Sequence, residues 1–549
     1  MQTQTTAEMR ELAGMLASAQ RLDKDKAERI KTEWAKKHNR TIPLSSEILA
    51  VANPDETKKI IRALVTKPTR TLSGVSVVAV MTKPAGCIGR CTYCPTAENA
   101  PKSYTGHEPS TMRAIRNNYD EYKNVQNRLT QLHKVGHSTD KNEVIIQGGT
   151  FTWLPWDYQY NFIKNILDAF NQYGCCTKEK PCNKHKAETI EDSHRINETA
   201  QNRVISLIIE TRPDWCKPAH IKQMLQLGAT RVELGLQSTY DEALEKIKRG
   251  HDLQECKRAI KDLRNAGFKV DLHIMLGLPG STKEKDIEMF KILFEDSDLR
   301  PDGLKIYPCG VIKGSELYED WRAGKFIPKD DKYILEVLKE AKTKYIPPYC
   351  RVKRIMRDIP GNLVEAGYKS LNLRQMLFNQ MEKEGKKCRC IHCREVGHHF
   401  KFFGRLPKSS ELVVFSYEAS GGTEHFISFE DKKQDILLGF ARLRIGEKAF
   451  LREMHVYGQM IPVTSSPQPS VFSLPDNQGR RPKTQDLKLR TEDLVMQHKG
   501  LGKKLLAKAE EIAKQSGKKE LLVLSGVGVR EYYRKRGYEK KGCYMSKTI

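Results

Sequence analysis

The sequence predicts an α/β protein: a parallel sheet forming a partial barrel, followed by a second, mixed α/β domain. Six short apolar segments alternate with longer amphipathic ones between residues 71 and 345, which is the pattern of repeated strand–helix units. Residues 401–549 begin instead with consecutive strand-like segments, and a glycine-rich turn then leads into an amphipathic helix. A chain of 549 residues is too long for one hydrophobic core, so two to four domains are expected.

Composition indicates a hydrated globular protein with a polyanionic partner. The formal net charge is +26, which would concentrate nucleic acid at the surface, although a generally Lys-rich surface is the alternative. Fourteen cysteines are too few for a disulfide scaffold, and their short spacings favour metal binding in a reducing compartment. Neither a secretory apolar region nor an 18-residue apolar run is found. We therefore expect a cytoplasmic protein without a membrane segment.

Residues 1–70 are predicted to form a charged helical segment. Apolar residues fall at helical spacing in Met9–Leu16 and Ile30–Trp34, and Thr41–Glu47 reads as a loop that leads into another helix. The segment has 14 Lys and Arg against 9 Asp and Glu. A basic RNA-binding module and a plain solvated helical cap are both compatible with this pattern.

The main domain is predicted from runs of β-branched and apolar residues that alternate with helical periodicity. The strand candidates are Val75–Met81, Glu143–Gln147, Val204–Glu210, Arg231–Leu236, Lys269–Met275 and Gly303–Tyr307. Helix candidates between them are Tyr158–Phe170, Pro218–Leu227, Leu253–Ala266 and Lys283–Phe294. Ligands of such a fold gather at the carboxyl ends of the strands, so the residues found there are site candidates.

Three cysteines follow the first predicted strand. Cys87, Cys91 and Cys94 have the spacing C-x3-C-x2-C on one short loop. Three thiolates so placed can hold three irons of a [4Fe–4S] cluster and leave the fourth iron without a protein ligand. That iron can bind S-adenosylmethionine, whose one-electron cleavage gives a 5′-deoxyadenosyl radical. Structural zinc is the alternative, but it needs a fourth ligand, and the nearest candidate, His107, belongs to a different motif.

Other strand ends carry further candidates. Gly148 and Gly149 directly follow a strand, where glycine lets the backbone approach a ligand, with a simple turn as the alternative. Glu233 and Gln237 lie on one face of a strand end and could hydrogen-bond the ribose hydroxyls or the methionine part of S-adenosylmethionine. Lys305, on the last strand, would direct a cation into the barrel mouth, and a structural ion pair is the alternative.

Residues 346–400 form a predicted connector. Four cations within seven residues suit contacts with nucleic-acid phosphates, and a solvated charged face is the alternative. They are Arg351, Lys353, Arg354 and Arg357. Cys388, Cys390 and Cys393 then give C-x-C-x2-C, the spacing of a zinc knuckle. The fourth ligand stays open among three candidates: Cys350, Cys309 and His392.

The C-terminal region has its own pattern. Glu411–Tyr417, Ile436–Arg444 and Ala449–Val456 read as antiparallel strands, and Leu521–Ser525 as a later one. Before the helix that ends near Lys514, the chain has the pattern Gln-x-x-Gly-x-Gly, which exposes backbone N–H groups beside a helix N-terminus and suits a pyrophosphate. The residues concerned are Gln497, Lys499, Gly500 and Gly502.

Several stretches, taken together, resemble the catalytic subunit of Elongator, a radical-SAM enzyme fused to a GNAT acetyltransferase. They are Ser103–Pro109, Met112–Ala114, Gly148–Phe151, Glu210–Asp214, Glu233–Ser238, Leu451–Gly458, Met496–Leu506 and Gly526–Tyr538. They span residues 70 to 549 in the order of that family. A polar, Pro-rich insert at residues 459–495 is longer than the family's connection and reads as a flexible surface excursion. Cys175, Cys176, Cys182 and His185 fall where the family has a variable loop, which favours an exposed loop over an auxiliary metal site.

The resemblance implies an α/β architecture with a (β/α)6-type radical-SAM partial barrel at residues 71–345. A zinc-binding linker at 346–400 would join it to a GNAT domain at 401–549, and residues 1–70 would form a basic helical tRNA-binding segment. The implied cofactors are a [4Fe–4S] cluster, S-adenosylmethionine and acetyl-CoA, with zinc in the linker. The implied partners are the anticodon region of tRNA and either a second copy of the chain or accessory Elongator-type subunits.

The resemblance also implies roles for single residues. Gly148 and Gly149 would contact the amino group of S-adenosylmethionine, and Lys305 would lie near the acetyl group or the target of the radical. Tyr532 and Tyr533 match a tyrosine pair close to the thioester, where a phenol could orient it or protonate the departing thiolate, although core packing is the alternative for one of them. Glu453 and His455 also match the family and would belong to the acetyl-CoA site.

Three functions remain in view. The preferred one is modification of the tRNA wobble uridine at C5, in which a radical formed on the acetyl methyl group adds to the base and release from CoA gives 5-carboxymethyluridine. The second is a protein acetyltransferase for histone or other lysines, with a purely structural cluster. The third is a non-catalytic tRNA-binding scaffold, which the intact cysteine triad and the glycine-rich turn disfavour.

Overall fold

A seven-stranded parallel sheet occupies the centre of the chain. The computed structural model describes residues 2–20, 22–38, 42–43, 45–64, 74–175, 187–403, 406–457 and 500–549. The strands of the central sheet are β1 (Ser76–Met81), β2 (Lys141–Gln147), β3 (Arg203–Thr211), β4 (Arg231–Gln237), β5 (Lys269–Leu276), β6 (Gly303–Pro308) and β8 (Arg351–Arg354), adjacent in that order. All six neighbouring pairs are parallel, while β1 and β8 are the edges.

The six predicted strands of the main domain are confirmed, and the structure adds a seventh. The sequences of these strands are continuously apolar because both faces of the sheet are buried. Helices pack on one face, and the other face lines the interior of the partial barrel. Strand β8 is not predicted from the sequence because only one of its four residues, Arg-Val-Lys-Arg, has an apolar side chain. The sequence predicts a basic connector here, whereas the strand pairs with β6 over residues 303–305.

Helices connect the strands and extend the core. Those of the N-terminal segment are α1 (Gln2–Ser18), α2 (Lys24–Lys37), α3 (Ser45–Val51) and α4 (Pro54–Leu64). Those of the central region are α5 (Pro109–Arg116), α6 (Glu121–Lys134), α7 (Trp156–Gln172), α8 (Ile190–Asn197), α9 (Pro218–Gln226), α10 (Asp241–Lys246), α11 (Leu253–Asn265), α12 (Lys283–Glu295), α13 (Glu316–Arg322) and α14 (Asp331–Lys344). A two-stranded sheet, β7 (Val311–Ile312) with β9 (Val364–Ala366), follows, together with α15 (Leu373–Lys383), α16 (Ile391–Arg394) and α17 (Val396–Phe403). Within the described ranges, every helix is too short or too polar to span a bilayer.

The N-terminal segment has a small apolar core of its own. Leu12, Trp34, Ile48 and Ile60 are buried together between helices α1–α4, as the predicted helical periodicity requires. The segment meets the central domain through α3 and α6.

A second seven-stranded sheet forms the C-terminal region. Its strands are β10 (Glu411–Ala419), β11 (Gly422–Asp431), β12 (Ile436–Ile445), β13 (Ala449–Val456), β14 (Glu520–Val523), β15 (Glu539–Lys541) and β16 (Tyr544–Thr548), in the order β10-β11-β12-β13-β14-β16-β15. Helices α18 (Leu501–Gln515) and α19 (Arg530–Arg534) complete it. All pairs are antiparallel except β13 with β14, which pair in parallel over only three residues. The predicted strands are confirmed, while β11, β15 and β16 were missed.

The two sheets share a buried junction. The apolar core of the central domain continues into Phe426, Leu437 and Phe440 of the second sheet. Helix α18 covers the opposite face, where Leu505, Ala509 and other apolar residues pack against β11–β13. The second sheet therefore lies between the central domain and α18.

Charged side chains cross the same junction. The guanidinium of Arg452 lies 2.6 Å from a carboxylate oxygen of Asp302, which precedes β6, and 2.6 Å from one of Glu424 on β11. Arg442 on β12 lies 3.4 Å from Asp302 across the junction and 2.9 Å from Glu453 on the adjacent strand of its own sheet. Both arginines are almost fully buried. Because an unpaired buried charge is costly, these pairs fix the relative position of the two sheets.

We expect that replacing Gly526 by alanine loosens this junction. The added Cβ would overlap the backbone carbonyl of Ile205 in β3, which cannot move without shifting the strand. The free energy of unfolding should fall by about 2 kcal/mol, which lowers Tm by roughly 4–8 °C for a domain of about 150–250 residues. Differential scanning calorimetry measures the shift. Gly446→Ala is the matched control, because its Cβ would meet no atom closer than 3.8 Å. Equal Tm values for the two variants would contradict the close packing.

Candidate functional site

A polar pocket opens at the carboxyl ends of the central strands. It is lined by the three cysteines of the first loop and by residues at or beyond the ends of β2 to β6. Predicted site residues that line it are Cys87, Cys91, Cys94, Gly149, Glu233, Gln237, Arg354 and Arg357. Lining residues that sequence analysis did not select as site residues include Tyr104, Glu210, Arg212, Arg249, His273 and Tyr307. The structure thus gathers most of the predicted radical-site residues in one place.

Two arginines support the cysteine loop. Arg249 Nη1 lies 3.3 Å and Arg212 Nη1 3.9 Å from Cys91 Sγ, and both donate to the sulfur. The hydrogen bond with Cys94 and the charges of the two arginines outweigh burial and lower the pKa of Cys91 to about 4. The same hydrogen bond and burial raise the pKa of Cys94. Cys87 lies 3.6 Å from the hydroxyl of Thr150.

These residues fit a [4Fe–4S] cluster. Three cysteines line one pocket, so a four-iron cluster bound there would have one iron without a cysteine ligand. Arg249 and Arg212 place positive charge at one sulfur, which would offset the negative charge of thiolate ligands. Polar groups from other strand ends face the same space and could hold a bound cosubstrate.

The backbone at Gly148 and Gly149 is shaped for close approach. Both residues have positive φ, +134° and +89°, directly after β2. A Cβ at Gly148 would overlap the hydroxyl of Thr82, so the position requires glycine. Gly149 lines the pocket, in agreement with the prediction that this turn faces a ligand.

Gln237 is held in an unusual conformation. Its φ of +78° is in the left-handed region, at the end of β4 where the pairing with β5 shifts register. Its side-chain oxygen is buried and has no hydrogen-bond partner within the described part of the chain. A strained backbone and a buried acceptor at a pocket wall are typical of a ligand-binding position.

Lys305 and Glu233 form a buried ion pair beside the pocket. Lys305 Nζ lies 2.8 Å from Glu210 and also contacts Glu233. Glu233 is fully buried, and its carboxylate additionally contacts His273 at 3.1 Å and Lys353 at 3.2 Å. Burial opposes the charge of each group, but the opposite charges prevail, so the pKa of Lys305 is raised and that of Glu233 is lowered. Glu233 is thus engaged by cations, which limits its predicted role as a partner of the ribose hydroxyls.

A metal ion is not favoured at this ion pair. Glu210, Glu233 and His273 bring one ligand atom each within 4.8 Å of one another. The ammonium group of Lys305 contacts both carboxylates, however, and would repel a cation. The arrangement instead presents a preorganised mixture of donors and acceptors to the pocket.

The basic cluster of residues 351–357 divides between two places. Arg351 lies 2.7 Å from Glu395, and Lys353 contacts Asp271 at 2.5 Å in addition to Glu233. Arg354 is 42% exposed and pairs with Asp358, while Arg357 donates to the hydroxyl of Ser103 at 3.0 Å. Arg354 and Arg357 line the pocket. Arg351, Lys353 and Arg354 each pair with a carboxylate, but only Arg354 and Arg357 line the pocket, so the predicted phosphate contacts are best supported for these two.

The three cysteines of the connector are close together. The Sγ atoms of Cys388, Cys390 and Cys393 lie within 4.8 Å of one another, at the start of α16. This set of donors fits zinc. Cys309 belongs to a different apolar cluster, and within the described residues neither Cys350 nor His392 joins the group. None of the three residues suggested by the sequence as the fourth zinc ligand therefore lies in one group with these cysteines.

The N-terminus of α18 forms a second candidate site. Gly500 has a φ of +77° and immediately precedes the helix. A Cβ at Gly502 would lie 3.0 Å from the hydroxyl of Tyr532, so glycine keeps this space open. The Tyr532 hydroxyl is buried and makes no hydrogen bond within the described residues, while Arg536 stacks on its ring. Gln497 and Lys499 lie outside the described residues.

Other residues predicted for this site lie elsewhere. Tyr533 is 5% exposed and packs in the core against Tyr538, which matches the core-packing alternative. Glu453 and His455 project from the face of β13 turned toward the central domain, whereas Val456 projects toward α18. Glu453 is engaged by three cations. Their assignment to the acetyl-CoA site stays a prediction that these contacts do not support.

Sequence reasoning missed Arg249 for a clear reason. It lies in the stretch Lys246–Gly250, whose charges resemble an exposed turn. Its side chain is buried, and it donates to Cys91, 158 positions earlier in the sequence, and to the carbonyl of Gly235, 14 positions earlier. Arg212 could have been selected from the sequence as a site residue, because it comes just after the end of the predicted strand Val204–Glu210.

Comparisons with known proteins agree with this architecture. Residues 81–293 match the family described as the radical SAM superfamily, residues 301–383 match the radical SAM C-terminal domain, and residues 6–72 match the ELP3 N-terminal domain.

Relatives cover almost the whole chain. It is 45% identical to a "tRNA uridine(34) acetyltransferase" of Methanocaldococcus jannaschii, over 96% of this chain and 95% of that protein. It is 38% identical to the human "Elongator complex protein 3", over 95% and 93% of the two chains. The solved structure of archaeal Methanocaldococcus infernus Elp3 with an N-terminal deletion has a TM-score of 0.72 and 41% identity, and the match covers 87% of this chain and all of that one.

We expect that replacing Lys305 by methionine destabilises the chain by about 3–5 kcal/mol, because it leaves the buried carboxylate of Glu233 and the half-buried one of Glu210 without their shared cation. Adding Glu210→Gln should restore part of the loss, since it removes one of the two charges. Chemical denaturation measures both. Lys325→Met is the control at an exposed position and should change little. A Lys305 variant as stable as that control would contradict the structural importance of the pair.

Proposed function

The chain belongs to the family of the tRNA uridine(34) acetyltransferases and Elongator complex protein 3, and on this premise we propose that it modifies the wobble uridine of tRNA. S-adenosylmethionine and acetyl-CoA would be the cosubstrates, and 5-carboxymethyluridine the product. The observation that carries the proposal is the joining, in one chain, of a three-cysteine pocket and a glycine-bearing helix N-terminus through a shared core. Formation of this product would use both reagents, since the acetyl thioester would supply the added carbons and the radical source would activate them for addition to the base.

The residues of the pocket would have distinct tasks. When bound, a [4Fe–4S] cluster with S-adenosylmethionine supplies a carbon-centred radical. Cys87, Cys91 and Cys94 would hold the cluster, and Gly149 would bring backbone groups close to the cosubstrate. Arg354 and Arg357 would bind an anionic group at the rim, either a carboxylate or an RNA phosphate.

The second sheet with α18 would be a GNAT domain that binds acetyl-CoA. Strands β13 and β14 pair over only three residues, so the second half of β13 lies beside α18 without pairing to β14. The positive end of the helix dipole and free N–H groups suit a pyrophosphate at Gly500 and Gly502. Tyr532 has a buried hydroxyl free to orient the thioester or donate a proton to the leaving thiolate.

The remaining parts complete the proposal. Cys388, Cys390 and Cys393 would form a zinc knuckle that stabilises the connector. The charge of +26 supports a tRNA partner, with the anticodon region at the pocket and the basic N-terminal segment as a further contact. A homodimer or accessory Elongator-type subunits, and a cytoplasmic location, remain predictions from the sequence.

A protein acetyltransferase with a structural cluster is the less supported alternative. A structural cluster has no need of an open polar pocket beside its thiolates, yet this pocket contains Gln237, His273 and four arginines beyond the cluster loop. The relatives named for tRNA uridine also favour the first function.

Anaerobically reconstituted protein should convert tRNA uridine in the presence of S-adenosylmethionine and acetyl-CoA. Mass spectrometry of digested tRNA detects the product, and chromatography detects 5′-deoxyadenosine. Cys91→Ser should abolish both, because the cluster would lose a ligand. Unmodified tRNA uridine with the active, reconstituted wild-type protein would refute the proposal. Lysine acetylation without 5′-deoxyadenosine would favour the alternative.

The two adjacent tyrosines should respond differently to loss of the hydroxyl. Tyr532→Phe removes the group beside Gly502, and acetyl-CoA hydrolysis in the presence of tRNA should fall by roughly 100-fold or more if that group assists proton transfer. Tyr533→Phe is the matched control, because its ring packs in the core. Its activity should stay within about threefold of wild type, since no proton transfer is lost. Similar losses in both variants would contradict the assignment to Tyr532.

A further inference from the structure

A carboxylate of the central domain holds helix α19 of the C-terminal region. Glu198 directly follows α8 and is 7% exposed. One of its carboxylate oxygens lies 3.2 Å from Arg530 Nη1, and the other lies 2.5 Å from Arg534 Nη1. The two arginines are the first and last residues of α19. A single carboxylate therefore connects both ends of this helix to α8.

The two partners of Glu198 are not equivalent. Arg530 is 4% exposed, and within the described part of the chain Glu198 is the one carboxylate at ion-pair distance from it. The side chain of Arg534 is more exposed and also contacts Glu531 on its own helix. Because a buried guanidinium is costly without a counter-charge, the pair with Arg530 is the stronger constraint.

Helical geometry places Tyr532 on the opposite face of α19. Arg530 and Arg534 are one turn apart and share a face, whereas Tyr532 lies about 200° around the helix from Arg530. A Cβ at Gly502, at the start of α18, would lie 3.0 Å from the Tyr532 hydroxyl. Helix α19 thus lies between Glu198 and the candidate acetyl-CoA site.

Helix α19 depends on its surroundings for its position. It has five residues, too few for a helix that is stable on its own. The turn before it packs against β3, where a Cβ at Gly528 would lie 2.5 Å from the side chain of Arg203. Tyr533 packs into the apolar core beneath α18. The position of Tyr532 is therefore set by contacts with both domains.

We propose that Glu198 is a positioning residue of the acetyl-CoA site, which fixes α19 through Arg530 and Arg534 and thereby fixes the Tyr532 hydroxyl. The inference rests on the role proposed for Tyr532 and extends it, because a residue of the central domain would determine the geometry in which the thioester reacts. Glu198 does not itself touch acetyl-CoA. Its loss should slow turnover, since misplacing a reacting group by about 1 Å can cost roughly 100-fold. The pyrophosphate contacts at α18 should stay intact.

The first test needs no ligand. Glu198→Gln keeps the shape of the side chain and removes its charge, and Glu191→Gln is the matched control at an exposed position of α8. Hydrogen–deuterium exchange of residues 527–536 in the full-length protein should be about 10-fold or more faster in Glu198→Gln than in Glu191→Gln. The reason is that local opening of α19 no longer breaks a charged hydrogen bond. Equal exchange in the two variants would overturn the inference.

The second test measures acetyl-CoA hydrolysis in the presence of tRNA. Glu198→Gln should lower kcat by about 10- to 100-fold, while the Kd for acetyl-CoA, measured by calorimetry, stays within about threefold of wild type. In a protein that also carries Tyr532→Phe, the same change should lower kcat by less than about threefold, because the group that Glu198 positions is already absent. Equal losses in both backgrounds would assign Glu198 to stability alone and overturn the inference.

Failure of the inference is distinguishable from failure of the proposed function. Wild-type protein that does not hydrolyse acetyl-CoA with tRNA would refute both. Hydrolysis that requires Tyr532 but is unchanged in Glu198→Gln would overturn the inference alone. If Glu198→Gln does not fold, Arg534→Gln decides the case, because it removes only the more exposed arm of the contact. It should lower kcat by about threefold or more, and an unchanged kcat would overturn the inference.

Discussion

Buried arginine–carboxylate pairs hold the two sheets in one fixed arrangement. Arg452 joins a carboxylate of the central domain to one of the second sheet, and Arg442 does the same through Glu453 and Asp302. Such pairs contribute little net stability compared with apolar packing, but removal of one partner leaves an uncompensated charge that costs about 3–5 kcal/mol. Their geometric demands favour a single relative orientation of the sheets.

The same kind of pairing continues into the pocket. Arg231, at the start of β4, pairs with carboxylates on three other strands: Glu143, Asp271 and Glu453. Lys353 then bridges Asp271 and Glu233, and Lys305 bridges Glu233 and Glu210. The interior of the central sheet is consequently polar and internally neutralised. Groups that face the pocket are held before any ligand arrives, which is the condition for electrostatic preorganisation.

Local sequence patterns predicted the features that depend on neighbours in the chain. The six strands, the cysteine loop and the turn at Gly148 follow from periodicity, spacing and backbone conformation. The misses depend on partners distant in sequence: Arg249 reaches Cys91, Lys353 reaches Glu233, and Glu453 reaches Arg231. A charged residue looks the same in a sequence whether it is solvated or paired in the interior. Tyr532 and Tyr533 differ for a similar reason, because only the fold decides which ring enters the core.

Strand β8 has a consequence for how the chain could be divided. It begins at Arg351, after the change in composition near residue 345, yet it forms one edge of the central sheet. A fragment cut at that composition change would lose an edge strand together with Lys353. Residues up to 354 therefore fold with the central sheet, and a truncation or transplant made at the composition change would expose β6 as a new sheet edge.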